Sequence, residues 1–192
     1  MIHSKKGEMA MGTLIIFIAL VLIAAVAASV LIQTTGTLQN KALSTGKATT
    51  TEVGTSLKVM QITGENGSDE EIETFTVAMK LNSGSDPIRF EDLLITFDLN
   101  EVSRNYQYNS NGSCSNVTSN SDFFVTYTFN GTNHKDGYLT KGDVVDLCFN
   151  TTRPVQVNEK VRFNFFPKTG TSRVIETHMP ELILTQRVPI FP

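Results

Sequence analysis

The chain has 192 residues, a formal net charge of −3, no tryptophan and two cysteines. That length allows one domain of ordinary size beside a separate N-terminal segment. The balance of charge, with no basic stripe interleaved with aromatics, excludes a nucleic-acid partner.

Residues 1–7 (MIHSKKG) are short, polar and basic, and Glu8 follows. Then comes an uncharged run from Met9 to Ile32, MAMGTLIIFIALVLIAAVAASVLI. As an α-helix, about 24 residues span ~36 Å, more than a hydrocarbon core of ~30 Å. A secretory signal has a shorter apolar region, usually about 7–15 residues, ended by a small-residue cut site. Here the run continues into Gln33–Lys58, polar but with Leu38, Ala42, Val53 and Leu57 at loosely helical spacing. Gly36, Gly46 and Gly54 weaken that helix, each by about 1 kcal/mol relative to alanine. Lys5 and Lys6 precede the apolar run, and the next basic residue is Lys41. The positive-inside rule therefore keeps the lysine pair in the cytoplasm and exports the rest.

Ala24 and Ala28 are four residues apart, as are Ala25 and Ser29. Thin faces of this kind let helix backbones approach closely. Lys5-Lys6-Gly7, an acidic residue and then an apolar helix resemble the site of a prepilin-type peptidase. Such an enzyme cuts before the apolar segment and leaves it on the mature protein. The run Gly12-Thr13-Leu14-Ile15-Ile16-Phe17-Ile18-Ala19, continued by Val21–Ile32 and by Gln33-Thr34-Thr35-Gly36-Thr37-Leu38-Gln39-Asn40-Lys41-Ala42, closely resembles the N-terminal signature of archaeal flagellins (archaellins).

That resemblance implies a cut between Gly7 and Glu8, with Ala10 standing where the family has glycine. It implies three parts: a leader at 1–7, a polymerisation helix at 8–58 and an extracellular domain at 59–192. Gly12, Leu14, Phe17, Ala24, Ala25, Ala28 and Ser29 are then residues of a filament core. Bacterial-type pilins carry a glutamate at the fifth position after the cut, where this chain has Gly12. Glu8 either pairs with the N-terminal amine of a neighbour or stays hydrated in a central channel.

From about Glu71 the period becomes two, which predicts strands. Phe75, Val77, Met79 and Leu81 alternate with Thr74, Thr76, Ala78 and Lys80, and Leu93, Ile95, Phe97 and Leu99 with Leu94, Thr96 and Asp98. Phe123, Val125, Tyr127 and Phe129 share a face, as do Val145, Leu147 and Phe149, and Val161, Phe163 and Phe165. Ser172–Met179 and Leu182–Val188 read as late strands. Gly, Asn, Asp and Pro punctuate Asn82–Pro87, Asn109–Ser121, Asn130–Gly137 and Pro167–Gly170. Seven or eight short strands predict an Ig-like antiparallel β-sandwich. The fold class is therefore α+β, a long apolar helix followed by that sandwich, which agrees with the outer domain the resemblance implies.

Asn66, Asn111, Asn116, Asn130 and Asn150 each begin an N-x-S/T sequon, in segments read as turns, loops or strand ends. Cys114 and Cys148 lie in no CxxC and near no histidine cluster, which argues against zinc. Outside the cell they are expected to pair, the alternative being two free thiols. His3, His134 and His178 are scattered, and no nucleophile–base pair or phosphate loop can be read. Asp136, Asp143 and Asp146 could offer oxygen ligands to calcium, but turns favour the same residues. No cofactor, metal site or enzyme activity is expected.

The resemblance implies a subunit that polymerises with itself or with other flagellins into a surface filament for swimming. Its other implied partners are the prepilin-type peptidase, the cytoplasmic membrane before assembly, a basal-body membrane platform with a motor ATPase, and an oligosaccharyltransferase. An adhesive archaeal type IV pilin and a membrane-anchored sandwich-fold binding protein are the alternatives.

Overall fold

A computed structural model describes residues 3–66, 71–100, 102–115, 117, 119–183 and 185–192, with side chains from residue 11 onward and through residue 65 in the first of these stretches. The chain divides into two compact units, Met1–Ala48 and Thr49–Pro192.

The first unit is helical. A single helix, α1, runs His3–Gly54, through Gly36 and Gly46, and Gly54 is its last residue. Alanine, leucine and isoleucine dominate its apolar part, and alanine and leucine are good helix formers. Hydroxyls near the end of that part and beyond it bond back to carbonyls of the preceding turn. Ser29 Oγ donates to Val26 O at 2.9 Å, Thr34 Oγ1 to Leu31 O at 3.0 Å and Thr37 Oγ1 to Gln33 O at 2.9 Å. Such bonds satisfy a polar group that would otherwise be costly in an apolar environment.

The second unit is a β domain. Eleven strands lie among the described residues: β1 (Leu57–Asn66), β2 (Ile72–Leu81), β3 (Ile88–Arg89), β4 (Leu93–Asp98), β5 (Ser103–Tyr108), β6 (Asp122–Phe129), β7 (Tyr138–Leu139), β8 (Val144–Val155), β9 (Lys160–Pro167), β10 (Arg173–His178) and β11 (Arg187–Phe191). Nine form one hydrogen-bonded series, β10-β9-β4-β5-β6-β8-β2-β1-β11, and β3 pairs with β7. The pairing is antiparallel except at β5 and β6, which run parallel through Gln107↔Asp122 and Tyr108↔Phe123.

The series doubles over, so that the β2 side packs on the β4–β9 side. Phe75 of β2 lies 5.0 Å from Phe97 of β4 and 5.3 Å from Phe163 of β9, ring centre to ring centre. Tyr106 of β5 packs on Phe149 of β8 at 4.6 Å. These rings are fully buried or nearly so. Each contributes about 1.5–3 kcal/mol by leaving water, with offset and edge-on geometry adding to it. The two ends of the series also meet, because Thr177 Oγ1 of β10 donates to Ile190 O of β11 at 3.1 Å.

Three expectations need correction. The final strand is not Leu182–Val188: β11 begins at Arg187, and Ile183 is buried outside any strand. Phe129 is not inward-facing. A register shift between Tyr127 and Phe129 turns it out, and it is 63% exposed. The helix gives way before residue 58, since β1 already starts at Leu57.

Candidate assembly helix and modification sites

Every residue of α1 from Met11 to Thr50 is exposed within the chain. Ile15 is 65% and Ile32 74% exposed. At 100° per residue, Leu14, Phe17, Val21, Ala24, Ala25 and Ala28 fall on one side, with Ser29 at its edge. Gly12 lies on the opposite side, among residues that are equally apolar. A helix that is hydrophobic all round is one that is buried all round. From Met11 to Gly54, 44 residues, α1 is long and apolar enough to cross a membrane. The same length of hydrocarbon surface can be covered by other helices, with Ala24, Ala25, Ala28 and Ser29 permitting close approach on one side.

Lys5, Lys6, Gly7 and Glu8 lie in the first turns of α1, and their side chains are outside the described residues.

The sequons fall into different environments. Asn66 is the last residue of β1, with its side chain outside the described residues, and Asn116 is itself outside them. Asn111 is exposed in the β5–β6 connection, where its N–H donates to Asn109 Oδ1 at 3.0 Å. Asn130 is exposed in the β6–β7 turn. Asn150 sits within β8, half-buried and paired with Thr74 of β2. Its neighbour Thr151 is buried, with its hydroxyl donating to Glu73 O at 3.0 Å.

Cys114 and Cys148 form a disulfide with Cα atoms 5.3 Å apart. The bridge ties the β5–β6 connection to the outer face of β8. Gly112 belongs to the same connection and lies flat on Phe124, where a Cβ would come within 2.2 Å of the ring.

Asp143 is the buried carboxylate that shapes the Asn130 turn. It accepts from Gly131 N at 2.7 Å, Thr140 N at 3.0 Å and Thr140 Oγ1 at 2.8 Å. Burial pushes its pKa up, but those bonds, with His134 beside it, outweigh burial and hold it below the usual carboxylate range. Asp136 is at the surface and Asp146 is a residue of β8. The three aspartates expected as possible calcium ligands thus have separate tasks, and among the described residues no cluster of three or more His, Cys, Asp or Glu could hold a metal. His134 stacks edge-on against Tyr127 at 4.4 Å, and His178 is exposed at the end of β10. The bracing role of Asp143 was not read from sequence, because the turn signal of Asp and Gly hides which carboxylate points inward.

Comparison with known proteins gives a consistent result. The archaeal-type flagellin family matches residues 7–177. Flagellin B1 of Methanococcus voltae is 33% identical over 211 aligned positions, covering 98% of this chain and 97% of the relative. Flagellin B1 of Methanocaldococcus jannaschii is 31% identical, covering 93% of this chain and 92% of the relative. The structure of the archaeal flagellum of Methanospirillum hungatei strain JF1 shares the fold, with a TM-score of 0.69 at 16% identity over 95% of this chain and 98% of that one.

Proposed function

This chain belongs to the archaeal-type flagellin family, and on that premise we propose how it becomes a filament. It is a structural subunit of the archaeal flagellum and assembles with copies of itself through α1. Its precursor lies in the cytoplasmic membrane with Lys5 and Lys6 inside. A prepilin-type peptidase cuts between Gly7 and Glu8. A membrane platform with its motor ATPase then moves the helix from lipid into the growing polymer, and the product is a surface appendage for swimming. An oligosaccharyltransferase adds glycans at exposed sequons. The subunit itself carries no catalytic activity.

The observation that carries this reading is the exposure of α1. Every residue between Met11 and Thr50 is exposed. At about 1.5–3 kcal/mol for each large side chain, leaving that surface in water is prohibitive. Lipid and a bundle of like helices are both apolar surroundings, so transfer between them is close to neutral in hydrophobic terms. Close packing at the alanine-rich side then sets the direction.

Substituting leucine at both Ala24 and Ala28 tests this. The variant keeps enough hydrophobicity to enter the membrane but thickens the thin side. The expected result is precursor in the membrane fraction, few or no filaments by electron microscopy, and loss of swimming. Filaments as abundant as those of the unsubstituted chain would refute close packing as the driving term.

A further inference from the structure

We propose that the uncharged middle of the outer face of β4, β9 and β10, centred on Phe166 and Val174, is a contact surface for a second copy of this chain. The proposal rests on the filament reading above. Strand register defines the face. Leu94 of β4 pairs with Phe166 of β9, while Asn164 of β9 lies between Thr96 of β4 and Val174 of β10. The opposite sides of these strands carry Ile95, Phe163, Phe165 and Ile175, which are buried in the core. Phe166 and Val174 therefore point outward, and they are 42% and 51% exposed. They are diagonal neighbours, a spacing at which large side chains still touch, and half-buried Leu94 completes the patch.

Charge lies at both ends of the face. At its far end Glu176 pairs with Lys160 at 3.1 Å and with Arg162, and Asp98 accepts from Asn164 Nδ2 at 2.7 Å. At the opposite end Lys168, two residues beyond Phe166, pairs with Asp92 at 3.5 Å. Between these charged ends the outward residues beside Phe166 and Val174 are Leu94, Thr96, Asn164 and Ser172. An apolar centre depleted of charge and rimmed by polar groups is the composition of a protein–protein contact.

The sequons point the same way. All five lie between Asn66 and Asn150 in the sequence, and none falls within the ranges of β4, β9 or β10. A glycan on this face would prevent contact with a neighbour. On the layer containing β6 and β8, by contrast, the disulfide-tied loop bearing Asn111 already covers the outer side.

The occupant follows from the family: a flagellin subunit has further copies of itself as its neighbours, so a second copy is the partner such a face meets. The contact is head-to-tail, as a helical polymer requires: the patch on one copy meets a different surface on the next.

A photo-crosslinking residue at position 166 of the full-length chain tests this, with the same residue at exposed Thr128 on the other layer as control. Irradiated filaments are expected to give a covalent dimer of the chain from position 166 and none from 128. The Val174→Lys variant, at an exposed edge-strand position, is expected to lower the temperature of filament disassembly by several degrees, whereas Thr128→Lys leaves it unchanged. No adduct from position 166, an adduct only to another protein, or equal effects of the two lysine variants would overturn the contact. Absence of filaments from the unsubstituted chain would instead overturn the filament reading itself.

Discussion

Cys114 and Cys148, 34 residues apart in sequence, are bonded across the outer face of the β6–β8 layer. The bridge fastens the middle of a connection whose ends are held by Asn109 Nδ2 and Ser119 Oγ, both donating to Asp122 Oδ2. Around Cys114 the contacts are its N–H to Thr126 Oγ1 at 3.3 Å and the packing of Gly112 on Phe124.

Reduction of that bridge, or its replacement by a Cys114→Ser/Cys148→Ser pair, is expected to cost about 3–4 kcal/mol by the loop-entropy argument. In a thermal melt of the detergent-solubilised chain, that is a drop of about 10 °C. The loss should be the same for both treatments, since both remove the same constraint from the unfolded chain.

Asp143→Ala should destabilise the β domain by about 2–4 kcal/mol, because it leaves the donors of Gly131 and Thr140 buried without an acceptor. The pH dependence has a fixed sign. The Asp143 pKa is depressed on folding, so its contribution is complete above the ordinary carboxylate range and is lost as pH falls through the folded value. Asp92, held down by Arg89, and Glu176, held down by Lys160 and Arg162, shift in the same direction but are exposed and screened by salt. Melting temperature measured from pH 7 down to pH 2 should therefore fall mainly at the acid end. The Asp143→Ala variant should show a shallower fall.

Occupied sequons should include Asn111 and Asn130 and exclude Asn150. The first two are exposed in turns. Asn150 is half-buried in an extended strand whose sequon includes the buried Thr151. Glycopeptide mass spectrometry of sheared filaments measures this directly. Full occupancy at Asn150 would mean that the sugar is attached before β8 pairs with β2.

Much of this architecture is legible in the residues, and the exceptions have physical causes. Val145–Phe149 and Val161–Phe165 alternate cleanly because each has one buried face, and both are strands. β1 escapes the same reading. Between Val59 and Gln61 its register on β2 shifts by one residue, so buried positions run 57, 59 and then 62, and the period of two is broken. β5 escapes because Tyr106 is its only fully buried side chain, flanked by exposed Asn105 and Gln107. The parallel pairing of β5 with β6 has no local signature, since it depends on how a long connection returns. In α1, Gly36 and Gly46 count against a continuous helix, yet good helix formers around them, Leu38, Gln39, Lys41, Ala42 and Leu43, carry it through. The assembly helix was readable because an all-round apolar surface is a property of sequence alone. The braced turn at Asp143 was not, because three-dimensional closure decides which aspartate is enclosed.

Phe75→Ala should be among the most damaging changes in the β domain. Phe75 is fully buried and touches the rings of Phe97, Phe149 and Phe163. A loss of about 3–5 kcal/mol is expected, measured as reduced recovery of folded precursor from membranes and a lower melting temperature.

N-terminal sequencing of filaments sheared from the cell surface tests the central claim most directly. The expected sequence begins Glu8-Met9-Ala10 and runs on into the intact apolar segment, as the proposed transfer of α1 from lipid into the polymer requires. A surface product that starts at Met1, or one that begins beyond Ile32, would contradict that account.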